Sequence, residues 1–206
     1  AQLAASILKL NGIAVTLQNG IGNLETIARH VGPNRAALGT TTQGAAVVEP
    51  GVIREGGIGT THLATRPDIH LQIESLAMLF EHGGLQTKIV EDVTGLVWGK
   101  LAINAAINPL TALLRVPNGA LLESPFARGM MADAAREVAA VAAAQDIALP
   151  FPDAPARAEE VARLTGTNRS SMLQDALRGA ETEIEAICGA VVREGERVGV
   201  PTPAND

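Results

Sequence analysis

The segment from Trp98 to Arg115 decides the fold, and its sequence is Trp98-Gly-Lys-Leu-Ala-Ile-Asn-Ala-Ala-Ile-Asn-Pro-Leu-Thr-Ala-Leu-Leu-Arg115. Its apolar residues recur close to the helical repeat, which predicts one long helix. Three polar residues interrupt the apolar pattern, namely Lys100, Asn104 and Asn108. Because residues four positions apart share one face of a helix, these three form a polar line along it.

The polar line has a plain alternative, in which it faces solvent and Lys100 is an ordinary surface lysine. Two features favour a functional interpretation instead. Asparagine is a poor helix former, so two of them one turn apart lower helix propensity. Pro109 removes a backbone donor and should kink the helix near Ala105. We therefore interpret the polar line as the lining of a cleft.

The composition excludes several classes of protein. The 206 residues suffice for one large or two small domains, and 47% of them are hydrophobic, which is enough for a real core. The net charge of −6 argues against a nucleic-acid partner, which would select a basic stripe. The sequence has no apolar run typical of a membrane span and no basic segment typical of a secretory signal. The lone Cys188 indicates a reducing compartment, and the scattered histidines predict no metal site.

The first half of the chain predicts a mixed α/β structure, and the second half predicts helices alone. The predicted strands lie near 13–17, 37–41, 45–54, 58–63 and 87–90. Those between residues 36 and 65 are predicted to include a hairpin and to extend one sheet. The predicted helices lie at 1–10, 23–31, 69–82, 98–115, 126–145, 154–164, 171–177 and 182–198. The fold class is therefore α/β, with a sheet domain at 1–92 and an all-helical domain at 93–206.

Four segments match one known pattern in order and spacing over nearly the whole chain. They are Leu17-Gln-Asn-Gly-Ile-Gly22, the run from Trp98 to Ala112 with Val116-Pro-Asn-Gly119 after it, Asn168-Arg-Ser-Ser-Met-Leu-Gln-Asp175, and Glu181-Thr-Glu-Ile184. In these segments the chain resembles the ketopantoate reductases (2-dehydropantoate 2-reductases). The resemblance implies a cytoplasmic enzyme that uses NADPH to reduce 2-dehydropantoate, a small 2-keto acid, to (R)-pantoate for pantothenate and coenzyme A synthesis. It leaves open whether the enzyme is a homodimer.

The resemblance also implies that the sheet domain at 1–92 is an incomplete, Rossmann-like dinucleotide-binding domain, and that 93–206 is the substrate-binding and catalytic domain. The chain has no G-x-G-x-x-G motif, because Glu25 follows Gly20-Ile-Gly22 where a third glycine would stand. The units that carry the phosphate-binding turn are therefore expected upstream of residue 1, together with the residues that distinguish NADPH from NADH.

The resemblance assigns Lys100 as the proton donor, a role that suits a lysine whose pKa is lowered in a partly dry cleft. Matching positions predict substrate contacts at Asn19, Lys100, Asn104, Asn108, Asn118, Asn168 and Ser171, and cofactor contacts at Asn19, Ala45 and Glu183. Simpler roles stay open for three of them. Asn19 begins a common turn dipeptide, Ser171 is a candidate helix N-cap, and Glu183 is a candidate first-turn glutamate stabilised by the helix dipole.

Two other functions are kept as alternatives. One is a related 2- or 3-hydroxyacid dehydrogenase with a different substrate. The other is an inactive fragment that serves only as a helical binding or dimerisation module, because the phosphate-binding turn is absent from this sequence.

Overall fold

The computed structural model describes the backbone of residues 1–206 and the side chains of 1–45 and 47–206. The chain divides into two compact units. A sheet unit comprises Ala1–Gln18 and Gly22–Val93, and a helical unit comprises Asn19–Ile21 and Thr94–Asp206. The α/β fold class with an all-helical second part is confirmed.

The sheet unit contains a four-stranded mixed sheet and a separate hairpin. Its elements are α1 (Gln2–Ile7), β1 (Ala14–Thr16), α2 (Asn23–Val31), β2 (Ala36–Thr41), β3 (Gly44–Glu49), β4 (Val52–Gly57), β5 (Thr61–Ala64), α3 (His70–His82) and β6 (Thr87–Val90). The order in the larger sheet is β1-β2-β5-β6. β1 runs parallel to β2 and β5 runs parallel to β6, whereas β2 and β5 are antiparallel.

The predicted extension of the sheet by the hairpin is wrong. β3 and β4 pair only with each other, through a turn at Pro50-Gly51, and form a two-stranded sheet of their own. β5 occupies the edge of β2 instead, with Gly39 opposite Leu63 and Thr41 opposite Thr61. Because that edge is filled, the hairpin has no strand left to join there, and every residue of β4 is exposed.

The first helix is shorter than the predicted 1–10, because it ends at Ile7 and Leu8 is already extended. The Arg35 guanidinium donates hydrogen bonds to the backbone carbonyls of Lys9 at 2.5 Å and Gly12 at 3.1 Å. These bonds stabilise the segment after α1 as a loop. A small core of Ala37, Leu63, Ile69, Ile73 and Ala77 then joins α3 to the sheet.

The helical unit consists of five α-helices and, as predicted, has no strand among its described residues. The helices are α4 (Thr94–Leu114), α5 (Pro125–Ala143), α6 (Ala154–Leu164), α7 (Ser171–Leu177) and α8 (Ile184–Val198). Three of them begin at side-chain N-caps, Ser124, Asp153 and Ser170. None of the helices described here is long and apolar enough to cross a membrane.

Helix α4 is the centre of the helical unit's core. It spans Thr94–Leu114 and continues through Pro109 as a single helix. Leu101, Ala106 and Ile107 are buried on it and belong to the same cluster as Met131 and Val138 of α5. Full burial of one such aliphatic side chain contributes about 1.5–3 kcal/mol, so this face fixes how α4 is rotated. The rotation in turn sets where the polar line lies.

Candidate active site

Lys100 is half-buried between buried neighbours on α4, Gly99 and Leu101. Burial lowers the pKa of its ammonium group below the usual range, because leaving water penalises the charged form. The negative charge of Glu183 acts in the opposite direction and raises the pKa of Lys100 by a smaller amount. Lys100 is thus the partly desolvated lysine that the sequence predicted, with a carboxylate close enough to act on it.

Glu183 occupies the N-cap position of α8, but its side chain does not cap the helix. Its Oε2 atom accepts a hydrogen bond of 2.7 Å from Nδ2 of Asn19. The carboxylate is half-buried and sits at a helix N-terminus, where the helix dipole stabilises negative charge. The hydrogen bond from Asn19 orients this carboxylate, and its negative charge acts on Lys100.

Asn19 reaches Glu183 because residues 19–21 lie along the first turn of α8. The Ile21 N–H donates to the Ala186 carbonyl at 3.1 Å. Gly20 has φ +82, and a Cβ added there would lie 2.0 Å from that same carbonyl oxygen. Only glycine fits both the left-handed backbone and the close approach. Sequence reasoning favoured a ligand contact at Asn19-Gly20, with a plain turn as the alternative, and missed this packing role, for which the glycine was the available signal.

The other two residues of the polar line follow Lys100 at successive turns of α4. Asn104 is half-buried, and Asn108 is only 6% exposed. Among the described residues, neither carboxamide has a hydrogen-bond partner within the protein. Two adjacent carboxamides with unused donors and acceptors provide a surface that a polar ligand can bind without displacing internal bonds.

Asn118 is committed to the protein rather than open to a ligand. Its Nδ2 donates to Oγ1 of Thr165 at 2.9 Å, and its backbone N–H donates to the Asn168 carbonyl at 3.0 Å. The side chain is 8% exposed, and its Oδ1 atom is buried without a hydrogen-bond partner. The carboxamide of Asn168, in contrast, belongs to an exposed residue. Asn118 therefore holds the turn that carries Asn168, and its Oδ1 atom is left for another partner.

The interpretation of Ser171 as an N-cap is wrong by one position. Ser170 caps α7, because its Oγ accepts from the Leu173 N–H at 3.0 Å. Ser171 is the first residue of the helix and is exposed. The capping residue must have a non-helical backbone, which Ser170 has and a residue inside the helix lacks. The Ser171 hydroxyl is thus not used for capping.

The remaining predicted contact, Ala45, lies in the other unit. It is an exposed residue of β3 and pairs with Glu55 across the hairpin. Its contact with a cofactor stays a prediction.

Two other kinds of chemistry find no support in the part of the chain that the structure describes. No three His, Cys, Asp or Glu residues among those described are grouped to hold a metal ion. Burial raises the pKa of the Cys188 thiol to about 12, so it stays protonated and is a poor nucleophile.

Two family models match the chain. One is described as ketopantoate reductase PanE/ApbA and matches residues 1–68, and the other is its C-terminal part, which matches residues 92–206. The chain belongs to the ketopantoate reductase family. The resemblance seen in the four sequence segments is thereby confirmed.

Relatives in this family cover most of the chain. A 2-dehydropantoate 2-reductase of Pyrobaculum aerophilum is 41% identical over 95% of this chain and 67% of its own length. The Halobacterium salinarum protein of the same name is 38% identical over 93% of this chain and 63% of its own length. The chain therefore spans about two thirds of the length of the Pyrobaculum protein and a little under two thirds of the length of the Halobacterium protein.

Solved structures share the fold at lower identity. A D-mandelate dehydrogenase with NADH and anilino(oxo)acetate has a TM-score of 0.89 at 29% identity and covers 98% of this chain and 67% of its own. A 2-dehydropantoate 2-reductase from Geobacter metallireducens GS-15 has a TM-score of 0.87 at 29% identity, over 98% of this chain and 71% of its own.

Proposed function

We propose that the protein containing this chain reduces 2-dehydropantoate to (R)-pantoate with NADPH, on the route to pantothenate and coenzyme A, and that Lys100 is the proton donor. The observation that carries the proposal is the environment of Lys100, a half-buried lysine of lowered pKa beside an oriented carboxylate. The choice of 2-dehydropantoate as the substrate rests on the family relatives named 2-dehydropantoate 2-reductase.

The residues have separate tasks in this reaction. The nicotinamide would supply a hydride to the ketone carbon of the substrate. Negative charge then develops on the ketone oxygen, and Nζ of Lys100 donates a proton to that oxygen. Because burial lowers the pKa of Lys100, its ammonium gives up the proton more readily than an exposed lysine would. The negative charge of Glu183 raises the pKa of Lys100 and so favours the protonated form that this step needs.

The carboxamides of Asn104 and Asn108 are proposed to bind the polar groups of the substrate, since they follow Lys100 along the same helix face. Asn168 and Ser171 are proposed to donate to the substrate carboxylate. Asn118 supports them through the turn it holds, and its buried Oδ1 atom is the only part of its side chain left to accept from a substrate hydroxyl.

The cofactor contacts proposed for Asn19 and Glu183 agree with their chemistry. A carboxylate accepts hydrogen bonds and repels phosphate, so this pair fits the ribose hydroxyls or the carboxamide of a nicotinamide nucleotide rather than its phosphates. Ala45 is retained as a further cofactor contact. A cytoplasmic location is also proposed, because the single cysteine indicates a reducing compartment.

A second candidate is a dehydrogenase of another 2-hydroxy acid. The likeness to D-mandelate dehydrogenase favours it, because that enzyme was solved with NADH and a bulky aromatic oxo acid. The two candidates differ in both cofactor and substrate, so one assay separates them.

The test is a set of initial-rate measurements on the full-length protein. 2-Dehydropantoate and phenylglyoxylate are each offered with NADPH and with NADH. We expect kcat/KM to be highest for 2-dehydropantoate with NADPH, by about tenfold or more over phenylglyoxylate, since a misfit in a pocket costs roughly 1–3 kcal/mol. A preference for phenylglyoxylate would replace this proposal by the second candidate. If the protein reduces neither acid, the alternative that remains is a helical binding or dimerisation module without enzymatic activity.

A further inference from the structure

Two buried hydroxyl groups connect α4 to the start of α7. Oγ1 of Thr111 and Oγ of Ser170 are 2.7 Å apart. Thr111 is fully buried and Ser170 is 7% exposed. Thr111 also donates to the backbone carbonyl of Asn108 at 2.9 Å, and Ser170 accepts from the Leu173 N–H at 3.0 Å. These four groups form a continuous chain of hydrogen bonds, which we call the hydroxyl relay.

The direction of the hydroxyl relay follows from counting protons. A hydroxyl group has one proton to donate and can accept two bonds. Thr111 spends its proton on the Asn108 carbonyl, so the bond between the two hydroxyls must be donated by Ser170. Ser170 in turn accepts from Leu173. Every donor is used once and all bonds point toward α4, an arrangement in which neighbouring bonds strengthen each other.

We propose that Thr111 and Ser170 are positioning residues for the substrate. The relay starts at the first turn of α7, which carries Ser171, and ends at the carbonyl of Asn108. It therefore fixes the distance between two side chains that are proposed to bind the same substrate from different helices. This inference rests on the proposed function, in which Asn108 and Ser171 bind the substrate.

A purely packing role explains the pair less well. An apolar pair of similar size would fill the space without the need to satisfy two hydroxyls in a dry interior. Met172 and Leu173 are buried on α7 at 4% and 1% exposure, so packing already anchors this helix. Packing side chains tolerate small sliding movements, whereas hydrogen bonds of fixed length do not. Binding sites need a tolerance of about 0.5 Å, which is what such bonds provide.

The test compares Thr111→Val with Thr111→Ser in the full-length protein. Valine keeps the shape but removes both relay bonds of Thr111, and serine keeps the hydroxyl. Thr202→Val is the matched control, because Thr202 is also a buried threonine of the helical unit but lies beyond α8. We expect Thr111→Val to raise KM for 2-dehydropantoate about fivefold, which corresponds to one hydrogen bond of ~1 kcal/mol. The kcat value and KM for NADPH should change less than twofold, and Thr111→Ser should restore the wild-type KM.

A double-mutant cycle tests whether the relay acts through Ser171. If it does, Thr111→Val should raise KM much less in a Ser171→Ala background than in the wild type, because the group being positioned is gone. Additive effects of the two substitutions would overturn the proposal. An unchanged KM in Thr111→Val would overturn it as well.

Amide hydrogen exchange of Leu173 gives a readout that does not depend on the substrate. The relay predicts faster exchange at this amide in Thr111→Val than in Thr202→Val, and equal exchange would overturn the relay itself. The proposed function fails in a different way, namely if the wild type does not reduce 2-dehydropantoate. In that case the cycle is measured with the 2-keto acid that the wild type does reduce, and the same outcomes decide the relay.

Discussion

Two polar clusters in the helical unit differ in charge and in burial. Lys100, Glu183 and Asn19 form a charged cluster of half-buried groups. Thr111 and Ser170 form a neutral cluster of buried groups. Charged groups must keep some contact with water or ligand, because full burial of an ion is costly, whereas neutral hydroxyls can be buried once every bond is satisfied. For the proposed reaction, we therefore expect the charged cluster to determine the rate and the neutral cluster to determine the position of the substrate.

The largest expected effect is on the charged cluster. Lys100→Ala should lower kcat by about 10²–10⁴, which is the usual contribution of general acid catalysis. Circular dichroism should stay unchanged, because the apolar face of α4 and not its polar line holds the core. Lys88→Ala serves as the control, since Lys88 is an exposed lysine of β6 and should leave kcat unaltered. A wild-type kcat in Lys100→Ala would remove the lysine as the acid.

A smaller effect is expected at Asn108, which follows Lys100 along α4 and whose backbone carbonyl ends the hydroxyl relay. Asn108→Ala should raise KM for 2-dehydropantoate about fivefold while kcat falls less, because a bond of ~1 kcal/mol made equally to substrate and transition state is lost. The hydroxyl relay should survive, since it uses the backbone carbonyl of Asn108 and not its side chain. Steady-state kinetics with 2-dehydropantoate measures both constants. A parallel loss of kcat with an unchanged KM would instead place Asn108 with the charged cluster.

The sequence predicted the polar line of α4 better than the neutral cluster, and the reason is physical. Lys100 and the two asparagines stand out because polar groups at a helical spacing contradict an apolar pattern, and that contrast is visible locally. The bond between Thr111 and Ser170 joins residues 59 positions apart, and a threonine inside a helix gives no local sign of its partner. For the same reason the sequence revealed Glu183 only through a resemblance and not through its bond to Asn19.

Helix bounds were predicted closely and sheet connections were not. α2 and α6 have the predicted bounds, because apolar periodicity and caps act within the helix itself. The hairpin of β3 and β4 was recognised, but it was joined to the wrong sheet. Pairing depends on which strand fills the free edge of β2, and this is decided by β5, which lies later in the chain. The cap of α7 was misplaced between Ser170 and Ser171, since adjacent serines look alike to a sequence pattern.

The central claim is that Lys100 acts as an acid whose pKa is set by burial and by Glu183. The most direct test is the pH dependence of kcat in the wild type and in Glu183→Gln, which keeps an oxygen to accept from Asn19 but loses the charge. Because Lys100 must be protonated to donate, kcat should fall as pH rises through its pKa, which burial places below the usual lysine range. Removing the negative charge lowers that pKa further, so the account predicts an alkaline limb at lower pH in Glu183→Gln. The exposed Glu181, changed to Gln, should leave the limb in place. A limb that does not move in Glu183→Gln, or that moves to higher pH, would contradict the account.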